Sequence, residues 1–130
     1  MKANTGITFR GTSALVLIGT LCAFTAVDHI DRTKIYYGNP DAFRAPAVVK
    51  ASTVIKGTAD YKRILKEGVK KGTPRYEHLM EKATGTFKTV LGETAKSAGK
   101  DLVGEIGAIV IKGKAPVDIT AKVVARLNGR

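Results

Sequence analysis

The clearest helical segment of the chain is TPRYEHLMEKATGTFKTVL, residues 73–91. Thr73 is a good N-cap, Pro74 suits the first helical position, and Glu77 adds negative charge to the first turn. Apolar side chains then recur at spacings of three and four, which predicts that they share one face of a helix. This apolar stripe consists of Tyr76, Leu79, Met80, Ala83, Phe87, Val90 and Leu91.

The main structural question that the sequence raises is what this apolar stripe packs against. Beyond residue 30 there is no Trp, and Phe43 and Phe87 are the only phenylalanines, so a self-sufficient core would be thin. We therefore expect Tyr76, Met80, Phe87 and Leu91 to contact another protein or the membrane interface. The alternative is that the stripe packs internally, as one half of a helical hairpin, and the sequence leaves both open.

The partner in such a hairpin would be a basic amphipathic helix over residues 46–71. Pro46 suits its first position and Gly72 its end. Apolar side chains, including Val54, Ile55 and Leu65, gather on one side at 100° per residue. We expect the opposite side to bind an anionic surface through Lys56, Arg63, Lys66, Lys70 and Lys71.

The other segments of the domain carry weaker signals. Residues 31–45 are predicted to be a loop, because Gly38-Asn39-Pro40-Asp41 is a strong turn sequence. The short apolar run over 102–111 fits a helix or a strand, and its periodicity does not decide between them. A last amphipathic helix is predicted over 116–127.

The N-terminal part of the chain contains an uncharged stretch over residues 11–27, bracketed by Arg10 and Asp28. Its length is near the lower limit of about 17–25 residues for a membrane-spanning helix. A cleaved signal peptide is the alternative, but Phe24 is too large for the minus-three position of a cut after Ala26. We therefore expect an uncleaved anchor, with its apolar contacts made by Leu15, Val16, Leu17, Ile18, Leu21 and Phe24.

The chain is strongly basic, with 22 Lys and Arg against 11 Asp and Glu. Such a charge attracts anionic lipid headgroups, nucleic acid or acidic proteins, and Coulomb attraction does not choose between them. Lysine outnumbers arginine, which suits loose point-charge contacts better than bidentate phosphate recognition. Cys22 is the only cysteine, so an intrachain disulfide is excluded.

No motif predicts catalysis, a cofactor or a bound metal. The cluster of Asp28, His29 and Asp31 lacks a further ligand nearby, and the helix-face group of Glu77 and His78 would need ligands from another segment. Residues 92–101 contain Gly99-Lys100 but have Ser97 at the second glycine position and Asp101 where a phosphate-binding loop needs a hydroxyl residue. We therefore expect a non-enzymatic protein.

Together these patterns predict an all-α protein: a single N-terminal transmembrane helix followed by three or four amphipathic helices. Residues 1–30 would be the anchor, 31–45 a loop and 46–130 a basic helical domain. We expect a single-pass structural or assembly protein of a membrane-bound complex, either an accessory subunit or a virion membrane protein. Its expected partners are the membrane, other protein subunits and anionic lipid headgroups. The alternative is a membrane-tethered, nonspecific binder of nucleic acid.

Overall fold

The computed structural model describes residues 27–112 and 116–130, which form a mixed α/β domain. The predicted anchor residues 15–24 lie outside the described residues. A turn of 3-10 helix, Arg32–Lys34, separates the first two strands. The described elements are, in order, β1 (Val27–Ile30), β2 (Ile35–Gly38), β3 (Pro46–Val49), α1 (Ala51–Lys56), α2 (Ala59–Glu67), α3 (Pro74–Ser97), β4 (Leu102–Glu105), β5 (Ile109–Ile111), β6 (Val117–Asp118) and α4 (Thr120–Asn128).

Four of these strands form a sheet in the order β2-β4-β3-β6. Strand β4 is antiparallel to β2 and parallel to β3, and β3 is parallel to β6. Parallel neighbours need a long crossover, and helices α1 to α3 provide it between β3 and β4. Strands β1 and β5 pair separately as an antiparallel ribbon.

The predicted all-α fold is therefore wrong. Pro46, predicted to begin a helix, begins β3, and Ala47, Val48 and Val49 are all buried. A strand buried on both faces is a continuous apolar run without period-two alternation, so hydrophobic periodicity does not separate it from a helix. Proline is tolerated at the first residue of a strand, where it removes no essential ladder bond.

The predicted helix over 46–71 is instead two short helices. The Thr58 hydroxyl accepts a hydrogen bond from Tyr61 N at 3.3 Å and so caps α2 as a new helix after Gly57. Helix α2 ends at Glu67, because Gly68 adopts the left-handed conformation at φ 62°.

Two further boundaries differ from the prediction, and one segment that the sequence left open between helix and strand is now assigned. The predicted loop 31–45 contains β2, and the apolar run over 102–111 forms β4 and β5. The last helix begins at Thr120, because Val117 and Asp118 pair with β3. No helix among residues 27–112 and 116–130 combines the length and the hydropathy needed to cross a membrane.

The helix predicted to begin at Pro74 is confirmed. The Thr73 hydroxyl accepts a hydrogen bond from Tyr76 N at 3.3 Å, Pro74 is the first helical residue, and the helix continues to Ser97. Its strong N-cap is local in sequence and does not depend on the sheet.

The main core lies where α1, α3 and α4 cover one face of the sheet. Phe87 is 1 % exposed, and its ring meets that of Tyr36 edge-on, with centroids 5.3 Å apart and an angle of 85° between the planes. Successive residues of a strand point to opposite faces. Ala47 and Val49 accordingly face this main core, whereas Val48 belongs to a smaller apolar cluster with Leu102 and Ile109.

The approach of β2 to β4 depends on a glycine. Gly38 has φ 92°, and a Cβ added there would lie 2.0 Å from the carbonyl oxygen of Asp101. A side chain at residue 38 would therefore be strained by its backbone conformation and would clash with the neighbouring strand. This close approach fixes the end of the β2–β4 pairing.

Candidate anion-binding surface

Helix α2, the turn over 68–73 and the first half of α3 form a helical arm, which we call the basic arm. Helix α2 packs mainly on α3 and makes few contacts with α1. Ile64, Leu79 and Ala83 are buried, yet they belong to neither apolar cluster of the sheet. The arm therefore has a narrow apolar seam of its own, and most of its remaining surface faces solvent.

The turn at the end of the arm is set by backbone hydrogen bonds. Val69 N donates to Ile64 O at 3.0 Å, which closes the C-terminus of α2 around Gly68. The Thr73 hydroxyl donates to Lys70 O at 2.7 Å while it accepts from Tyr76 N. One threonine thus joins the turn to the start of α3.

The five basic residues predicted to bind an anionic surface are all exposed. Arg63 and Lys66 lie on α2, and Lys70 and Lys71 lie in the turn that follows, so four of the five belong to the basic arm. Lys56 is the last residue of α1 and lies outside the arm as defined here. Lys66, Lys70 and Lys71 form no ion pair with any described residue.

Arg75, which the sequence analysis did not select, joins this group through Glu67. Arg63 Nε lies 3.0 Å from one oxygen of the Glu67 carboxylate, and Arg75 donates to the other oxygen. The hydrogen bond from Arg75, followed by that from Arg63, holds the pKa of Glu67 below its usual value. Glu67 is thus an internal counterion that occupies both arginines of the arm.

The apolar stripe is divided between the core and the arm. Phe87 and Leu91 are 1 % and 0 % exposed in the main core, where they pack on the sheet and not as one half of the predicted helical hairpin, so they are not available to a partner in this fold. Tyr76 and Met80 lie on the arm and are partly exposed. A role in partner binding stays a prediction for these two residues.

Sequence analysis missed a carboxylate that joins the sheet to a helix. Glu105 Oε2 accepts hydrogen bonds from the Tyr36 hydroxyl at 2.8 Å and from Ala51 N at 3.1 Å. Burial, followed by the hydrogen bond and the charge of Glu105, raises the pKa of Tyr36 to about 12. No local signal marks this group, because its members lie in β2, α1 and β4 and meet only through the strand pairing.

No group of three His, Cys, Asp or Glu side chains that could hold a metal ion occurs in the part of the chain that the structure describes. The structural class is a small mixed α/β domain that carries a basic helical arm. No protein-family model matches the sequence, and neither a curated protein nor a solved structure matches it significantly.

Proposed function

We propose that this protein is a non-enzymatic structural or assembly component at a membrane, and that the tip of its basic arm binds anionic lipid headgroups. The tip consists of Lys66, Lys70, Lys71 and the Arg63–Glu67–Arg75 group. The observation that carries the proposal is the exposure of these three lysines without an internal counterion among the described residues.

The chemistry of the tip favours a lipid surface over a base-reading site. Lysine ammonium groups are hydrated point charges on flexible stems, which suits contact with a plane of headgroups. Each basic residue near an anionic membrane surface contributes about 1 kcal/mol. Direct reading of nucleic acid bases relies on arginine and amide side chains, and both arginines of the arm already contact Glu67, so the nucleic-acid alternative is restricted to nonspecific contacts with phosphates.

The position of the uncharged segment 11–27 supports the membrane part of the proposal. Strand β1 contains Val27, the last residue of that segment, so the described domain and the segment are contiguous in sequence. A domain attached so directly to a membrane-inserted segment would remain within one domain length of the bilayer. Other subunits of the complex would then contact the partly exposed Tyr76 and Met80.

Lysine footprinting of the reconstituted full chain tests this proposal. The protein is placed in vesicles of phosphatidylcholine alone or mixed with phosphatidylglycerol and treated with an amine-acylating reagent. We expect the anionic vesicles to protect Lys66, Lys70 and Lys71, and high salt to remove the protection. Lys96 and Lys100, at the far end of α3, are the internal controls and should react equally in both vesicles.

The same assay distinguishes the alternative partner. Protection of the tip lysines by added duplex DNA, but not by phosphatidylglycerol, would indicate the nucleic-acid binder instead. Equal reactivity under all conditions would reject both partners. Glu67→Gln should strengthen the lipid-dependent protection, because it releases Arg63 and Arg75 from their internal counterion.

A further inference from the structure

A groove of 640 Å³ lies at the base of the basic arm, where α2 and α3 meet the end of α4. Its volume is within the range of about 300–1,000 Å³ that is usual for small-molecule sites. The residues that matter for its chemistry are Asp60 and Lys62 on α2, Lys82 and Gly85 on α3, and Arg130. It is separate from the lysines of the arm tip.

Positive charge converges on this groove from separate parts of the fold. Lys62, Lys82 and Arg130 line it, whereas Asp60 is the one acidic residue among its described lining. Neither Lys62 nor Lys82 forms an ion pair with a described residue, and Arg130 is 3.9 Å from its acidic partner outside the groove, Glu93. Three cationic side chains against one carboxylate in the lining favour a multiply charged anion as the ligand.

A glycine lies in the wall of the groove. Gly85 lies in the middle of the 24-residue helix α3, where glycine is less favourable than alanine. A Cβ added at this position would have no neighbouring atom within 4 Å, so packing does not require a glycine. A large side chain at this position would project into open space beside the groove lining.

We propose that this groove binds the phosphoryl group of a phosphorylated small molecule or of a phosphomonoester lipid headgroup. Lys62, Lys82 and Arg130 would contact the phosphoryl oxygens, which can accept several hydrogen bonds from different directions. The hydroxyl of Thr86, also in the lining, is a further donor. This inference does not rest on lipid binding by the arm tip.

The test is a titration of the full chain, in a non-ionic detergent, with inorganic pyrophosphate, followed by amide NMR. We expect saturable shifts confined to the amides around residues 57–62 and 82–89. Lys62→Gln and Lys82→Gln should each weaken binding roughly tenfold, because each removes a charge-assisted hydrogen bond. Lys88→Gln is the matched control and should leave the affinity unchanged, since Lys88 lies outside the groove lining.

A second variant tests whether binding needs the open space of the groove, separately from its positive charge. Gly85→Leu puts a good helix former at an open position, so the fold should persist while the side chain blocks the groove and abolishes binding.

Bicelles with phosphatidic acid that compete with pyrophosphate would identify a lipid headgroup as the ligand, and binding of pyrophosphate alone would identify a soluble one. Nonsaturable shifts spread over all lysines, or equal losses for Lys82→Gln and Lys88→Gln, would overturn the proposal.

Discussion

Replacement of Phe87 by alanine should destabilise the domain more than any change on the arm surface. Phe87 is 1 % exposed, and its ring packs edge-on with that of Tyr36, with centroids 5.3 Å apart. Truncation of a phenylalanine in a closed core costs about 3–5 kcal/mol. A domain of this size has a free energy of unfolding of about 5–15 kcal/mol, so the loss is a large share of the total.

The measurement is urea unfolding of the full chain in non-ionic detergent, followed by far-ultraviolet circular dichroism. A loss of about 3 kcal/mol should move the unfolding midpoint strongly while the dependence on urea stays the same. In a thermal experiment the same loss corresponds to at least about 12 °C. Leu65→Ala is the matched control, because Leu65 is 66 % exposed and should change stability by less than about 0.5 kcal/mol.

Equal effects of the two substitutions would refute the reasoning. Phe87 would then lie outside a closed core, and the hypothesis that Phe87 and Leu91 contact a partner together with Tyr76 and Met80 would regain its support. A weak, noncooperative transition of the unmodified protein would have the same meaning, because it would show that the domain depends on an external surface for stability.

Three further outcomes follow from individual residues. In urea unfolding, Gly38→Ala should destabilise the domain by at least twice the roughly 1 kcal/mol expected for Gly99→Ala. Both glycines have positive φ, but only at residue 38 would the added Cβ lie 2.0 Å from a carbonyl oxygen. Equal losses would contradict this packing. The pKa of Tyr36 is raised to about 12, so its contribution to stability should be complete below pH 10 and lost as the pH rises through 12. Ultraviolet titration should show one tyrosine that ionises near pH 12, and this ionisation should be absent in Tyr36→Phe. Leu17→Arg with Ile18→Arg should release the protein from membranes, because each charge in a membrane-inserted segment costs about 2.5–3.5 kcal/mol; release of the unaltered protein by a carbonate wash would reject the anchor.

Part of the candidate site could be predicted from the sequence because it depends on local chemistry. The start of α3 follows from Thr73 and Pro74, which act within one helical turn. Exposure of Lys70 and Lys71 follows from their place in the short turn between Gly68 and Gly72, where both lysines are charged. The groove at the base of the arm could not be found in this way, because Lys62, Lys82 and Arg130 are far apart in sequence.

The sequence by itself determined the strong helix α3, its N-terminal boundary and the basic character of the arm, since each depends on neighbours within a few residues. Only the tertiary structure decided that Pro46–Val49 is a strand, because its ladder partners lie in β4, more than fifty residues further along the chain. The sheet also decided the division of the apolar stripe. Phe87 and Leu91 lie over the strands and are buried by them, whereas Tyr76 and Met80 lie on the arm.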